Sequence, residues 1–139
     1  MNCKKIIVCT LVLLIPFSLC LIQTVAGENK IANYRETISV LQELYKAEIT
    51  ASKTYSEFTQ KAEEEKYYSI SRLFSALSGS ETVHARNFKN ILNDLGVEAK
   101  NFPDPDTKIA DTKTNLKWAF KVELSEIDTN YPKLIKKIK

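Results

Sequence analysis

The sequence predicts an all-α protein, a helical bundle built on three long helices. Three observations carry this. Apolar residues recur at steps of three and four along most of residues 29–130. Residues 29–64 contain neither glycine nor proline, while Gly96, Pro103 and Pro105 fall together where a helix should stop and a linker begin. No stretch of useful length alternates apolar and polar residues as a half-buried strand would.

The first helix is read over residues 29 to about 64. Its stripe is Ile31, Tyr34, Ile38, Leu41, Leu44, Tyr45, Glu48, Ser52, Tyr55 and Phe58. A second helix runs from about Lys66 to Leu95, with Ile70, Leu73, Phe74, Leu77, Glu81, His84, Phe88, Ile91, Leu92 and Leu95 on one face. Gly96 ends it as a C-terminal cap. Residues 97–111, with two prolines and three aspartates, form a linker. Thr112 or Thr114 caps a third helix, whose stripe is Leu116, Ala119, Phe120, Glu123, Glu126, Ile127 and Asn130. Pro132 marks a kink or break, and basic Lys133 to Lys139 continue as a surface turn or two.

Residues 1–26 read as a leader. Lys4 and Lys5 precede the apolar run Ile6 to Ile22, and Thr24-Val25-Ala26 supplies small residues for cleavage. Pro16 inside the run favours a cleaved signal peptide over the rival, a membrane anchor. The expectation is an exported protein with one domain over residues 27–139. All three cysteines lie in the leader, so the mature chain lacks disulfides, thiolate ligands and cysteine nucleophiles. Removing the leader's two lysines lowers the formal charge from +3 to +1, too little for an evident nucleic-acid binder.

The acids Glu48, Glu81, Glu123 and Glu126, with His84, sit within these apolar stripes. Charges there need partners, because an unpaired buried charge costs several kcal/mol. Helices one and two should pack antiparallel about the polar break at Glu63 to Lys66, which sets Glu48 and Glu81 at equal height. A linker of this length can return along the bundle and start helix three parallel to helix two. Oxygen ligands from three helices then reach one mid-bundle level. Four carboxylates match two divalent cations, and the added imidazole suits iron, manganese or zinc. Crowding of like charge predicts a raised pKa for at least one acid in the metal-free protein.

These residues resemble the rubrerythrin family of the ferritin-like superfamily. Glu48, Ala51 and Tyr55 fit a Glu-x-x-Ala-x-x-x-Tyr pattern, with Ala47 in place of glycine. Glu81-Thr82-Val83-His84-Ala85-Arg86-Asn87-Phe88 fits Glu-x-x-His-Ala-x-x-Phe in full. Asn115-Leu116, Ala119, Glu123, Glu126 and Tyr131-Pro132 fit the third segment. The resemblance implies a ferritin-like four-helix bundle holding a di-iron centre that reduces hydrogen peroxide or dioxygen. It implies Glu48, Glu81, His84, Glu123 and Glu126 as ligands, with Tyr55 and Tyr131 beside the site.

The chain departs from that pattern by stopping at Lys139, before a fourth helix, and by lacking the cysteines of a rubredoxin-type electron donor. Two expectations stand: the sequence is a truncated product, or a second copy in a homodimer completes the bundle; the electron donor is unknown. An alternative is a non-enzymatic module binding a partner through the groove left by the fourth helix. Three residue-level alternatives stand beside the metal reading. Ser78-Gly79-Ser80-Glu81 fits a capping box that would break helix two at Gly79. Glu48 could be a solvated flank residue, and Glu123 with Glu126 an exposed acidic edge.

Overall fold

A computed structural model describes residues 32–137. The leader and its cleavage point lie outside the described residues. The chain divides into two units, Met1–Arg35 and Glu36–Lys139, and the site lies wholly within the second. Described helices are α1 (Arg35–Glu64), α2 (Tyr68–Asp94), α3 (Thr112–Ser125) and α4 (Tyr131–Lys137), with a π-helical turn at Glu126–Asn130 between the last two. No strand occurs among the described residues. None of the described helices is long and apolar enough to cross a membrane.

The turn between α1 and α2 falls at the expected break, but its chemistry differs from the usual one. Tyr67 N donates to Ala62 O at 2.8 Å and Lys66 N to Glu63 O at 2.9 Å. This paired ending needs a left-handed residue at its corner. Lys66 supplies it, at φ 63°. α2 ends with the same two bonds, Val97 N to Leu92 O at 2.9 Å and Gly96 N to Asn93 O at 2.8 Å, with Gly96 at φ 77°. α2 runs unbroken through Gly79, so the capping-box reading of Ser78 fails. Ser78 Oγ instead donates across to Ser52 O at 2.8 Å, and Ser52 Oγ donates to Ser78 O at 3.0 Å. Two small hydroxyl side chains thus tie α1 to α2 one turn from the acids.

Residues 98–112 run along α1 from its upper part to its foot. Gln42 holds the start, donating to Glu98 O at 2.8 Å and accepting from Lys100 N at 3.0 Å. Lys53 pairs with Asp104, and Thr54 with Thr107 at 3.2 Å. Glu65 accepts from Thr112 N at 2.9 Å, and Asn115 clamps both N–H and C=O of Ala110 at 3.0 Å. Asp111, rather than either threonine, caps α3: it accepts from Thr114 N at 2.9 Å. These bonds hold its carboxyl below the usual range. α3 consequently climbs antiparallel to α1 and parallel to α2, as the linker length suggested.

The core joins Tyr55, Phe58 and Ala62 of α1 to Phe74 of α2 and Ala119 of α3. Phe58 and Phe74 meet edge to face at 5.3 Å, and Phe74 stacks on Tyr55 at 6.3 Å. α3 buries Thr112, Asn115 and Ala119. Phe120 and Ile127, expected on the inner stripe, are 64% and 66% exposed. Phe120 is one residue past Ala119, about 100° further round a helix of 3.6 residues per turn, and so faces outward. Leu73 and Ile91 of the α2 stripe and Tyr34 ahead of α1 are also exposed.

The expected kink at Pro132 takes the form of the π turn. Tyr131 N bonds to Glu126 O, five residues back. Proline has no N–H to give and its ring crowds the carbonyl four residues back, so a widened turn ahead of it accommodates both. Helix then resumes through Lys137, as expected for the basic tail.

Candidate metal centre

α1 and α2 face each other with Glu48 and Glu81 at similar heights, because their distances from the Lys66 turn differ by less than one helical turn. Glu48 is 1% and Glu81 5% exposed, so the solvated reading of Glu48 fails. His84 follows Glu81 by three residues, which puts both on one helix face. Its side chain is 47% exposed, at the rim, and Nδ1 lies 2.9 Å from Glu81 Oε2. Glu48, Glu81 and His84 each offer a ligand atom, and these atoms all lie within 4.8 Å of one another.

Glu123 and Glu126 flank this trio instead of joining it, each connected through a tyrosine. Tyr55 Oη donates to Glu123 Oε1 at 2.6 Å. Tyr131 Oη donates to Glu48 Oε1 at 3.2 Å and lies 3.5 Å from Glu126 Oε2. A hydroxyl has one proton, and the shorter contact is the hydrogen bond. Glu123 and Glu126 are both partly buried, and Glu126 lies over Tyr131 instead of on an open acidic edge.

Two buried side-chain oxygens among the described residues lack a hydrogen-bond partner, Thr112 Oγ1 at the start of α3 and Glu48 Oε2 among the acids. Burial raises the Glu48 pKa from 4.5 to about 8, a carboxyl–carboxyl hydrogen bond with Glu81 comes next, the Glu81 and Glu126 charges add, and the Tyr131 hydroxyl opposes. Glu126 is also raised, by burial first and by Glu123 and Glu81 next. Both tyrosines are raised for the same reasons: each phenol is desolvated and faces carboxylates. The expected rise is present, but desolvation leads it and like-charge crowding follows.

A buried carboxylate oxygen without a donor, two acids and an imidazole within one ligand shell fit a divalent cation of the iron, manganese or zinc type. Metal would supply the partner that Glu48 Oε2 lacks. Beside the trio, a cavity of about 310 Å³ lies between α1 and the π turn and α4. Leu44, Ala47 and Leu134 give it apolar walls, Glu48, Glu126 and Tyr131 also line it, and Lys137 closes one side by pairing with Glu43 at 3.2 Å. Sequence reasoning missed this cavity, since nothing in a helical stripe records the small side chain at Ala47 as a gap.

Comparison with known proteins identifies a family. A sequence model described as Rubrerythrin matches residues 39–139. The chain is 34% identical over 100 residues to a rubrerythrin of Clostridium perfringens, covering 70% of this chain and 51% of that protein. It is 31% identical over 96 residues to rubrerythrin-2 of Clostridium acetobutylicum, covering 69% of this chain and 52% of that protein. The chain therefore spans about half the length of the curated relatives it matches. No solved structure matches. With its Glu-x-x-His helix set against a buried Glu48 and a family match over most of its length, the chain belongs to the rubrerythrin family.

Proposed function

We propose that this chain forms a ferritin-like bundle that binds a di-iron centre and acts as an exported oxidoreductase on hydrogen peroxide or dioxygen. The observation that carries the reading is the orphaned Glu48 Oε2 inside a Glu48, Glu81 and His84 ligand group. Glu48, Glu81, His84, Glu123 and Glu126 would hold the metal, with manganese or zinc as the other ions this donor set accepts. Bound iron supplies reversible redox chemistry. The chain's own residues position it. Tyr131 fixes Glu48, Tyr55 fixes Glu123, and the aromatic layer of Phe58 and Phe74 keeps water from below. The cavity beside Glu48 gives a small oxidant a way in. Ferritin-like carboxylate centres use a further carboxylate and imidazole pair from a fourth helix, and a second copy of the chain is the proposed source. An electron donor from outside the chain completes the cycle.

Metal analysis of protein produced with iron supplied tests this. About two ions per completed site are expected on the ferritin-like pattern. Glu81→Ala should strip the metal, and Glu57→Ala should leave it. Folded protein that stays metal-free under these conditions refutes the reading. N-terminal sequencing of the secreted fraction tests export: a start at residue 27 is expected.

A second reading is a non-enzymatic module that binds a partner. Its support is the exposed row of Phe120, Leu124 and Ile127. Sedimentation separates the two, because shared sites require a dimer and a bare module is a metal-free monomer.

A further inference from the structure

We propose that Ser52 and Ser78 are positioning residues for the metal centre: their reciprocal hydrogen bonds clasp α1 to α2 at the spacing that brings Glu48 and Glu81 into one ligand shell. This role rests on the bound metal proposed above, and it adds two residues that touch no ion.

Mid-helix, a serine or threonine hydroxyl ordinarily bonds a carbonyl of its own helix, one turn back. Thr59 does so, donating to Tyr55 O at 2.8 Å, and Thr82 does so, donating to Ser78 O at 2.9 Å. Ser52 and Ser78 bond across the gap instead. Ser78 Oγ donates to Ser52 O at 2.8 Å, and Ser52 Oγ donates to Ser78 O at 3.0 Å. Ser52 Oγ also lies 2.8 Å from Thr82 Oγ1 and 3.4 Å from Ser78 Oγ, so it is set among oxygens of α2.

A serine hydroxyl stands one rotatable bond from its backbone, and each of these two bonds ends on a backbone carbonyl. The pair therefore fixes main chain to main chain. With one bond given in each direction, it resists sliding as well as separation. The aromatic packing of Phe58 on Phe74 nearer the Lys66 turn cannot do the same, because apolar contact is non-directional and sets no register.

Ser52 follows Glu48 by four residues, and Ser78 precedes Glu81 by three. The clasp thus lies about 6 Å along α1 from one acid and about 4.5 Å along α2 from the other. Both helices are continuous over these turns, so a spacing set at the serines is passed on to the carboxylates. A metal site works when its ligands are held to within about 0.5 Å. With the helices clasped, the ion meets a shell already assembled, and its binding free energy is not diverted into drawing two helices together.

Cobalt(II) titration of the metal-free full chain, read by the visible absorption bands of the bound ion, tests the clasp. Ser52→Ala and Ser78→Ala should each weaken cobalt binding about tenfold and alter the bands, which report the ion's coordination. Alanine is the stronger helix former, so both variants should keep their helices, as circular dichroism verifies. Thr59→Ala removes a comparable hydroxyl bond that stays within α1, and should leave affinity and bands unchanged. A merely structural serine would lower resistance to urea without moving either readout. Cobalt binding of equal affinity in wild type and both serine variants, or an equal loss in Thr59→Ala, would overturn the clasp while leaving the metal centre standing. A wild type that takes up no cobalt would overturn the metal centre itself, and the clasp's role with it.

Discussion

Glu48→Gln should leave the metal-free protein as stable as wild type at pH 4.5 and make it more stable at pH 8. The native Glu48 carboxyl titrates near 8, against 4.5 for the free side chain. Between those values the folded state keeps a proton that the unfolded chain has released. Stability therefore falls as pH rises across this window, by about 1.4 kcal/mol per pH unit. The whole window amounts to at most about 5 kcal/mol, a large share of a small domain's stability. Glutamine carries no charge and retains an oxygen to accept from Tyr131, so it removes most of the slope. A smaller decline should remain, because Glu126 is raised in the same direction. Urea unfolding followed by circular dichroism at the two pH values measures the difference. Equal stability of the variant and wild type at pH 8 would refute the claim that burial of the charged form is the strained state. Adding ferrous or manganous ion extends the test. At a hundredfold excess over its dissociation constant the ion should stabilise wild type by about 2.7 kcal/mol, and Glu48→Gln by much less.

Other substitutions report on the frame around the site. Gly79 is exposed, lies inside α2 and has nothing within 4 Å of a built Cβ, so Gly79→Ala should raise stability by about 0.5–1 kcal/mol. Gly96→Ala should lower it by about 1 kcal/mol, since the site is equally open but left-handed. At the matching corner, Lys66→Gly should raise it by up to about 1 kcal/mol. Phe74→Ala should cost about 3–5 kcal/mol, because the ring is fully buried and touches both Tyr55 and Phe58. Chemical denaturation measures all four.

Much of the site was legible because charge inside an apolar stripe is conspicuous. Glu48 and Glu81 betray themselves by spacing, and their midpoint falls within two residues of the Lys66 corner. The turn's corner was hidden, because the left-handed residue is a lysine and lysine carries no turn signal. The same ending at Gly96 was readable for the opposite reason. The inward face of α3 was misjudged at Phe120 and Ile127. Large apolar residues there outweighed Asn115, a polar side chain whose burial depends on backbone partners outside any helical pattern. Asn115 is buried because it grips Ala110, and no periodicity encodes that grip. Pro132 announced an irregularity but not its kind, since a proline marks where an ordinary helical bond is lost and says nothing of the winding that replaces it.

The five residues Glu126–Asn130 hold one more peptide than an ordinary turn would. Everything downstream is thereby rotated by roughly 100° about the helix axis. Tyr131 acquires from that added twist its aim at Glu48, and Lys137 its reach to Glu43. Excising a single residue from the widened coil would swing the phenol off its carboxylate while leaving the helix intact. The bulge thus works as a phase adjuster, setting by winding number which side chain looks inward.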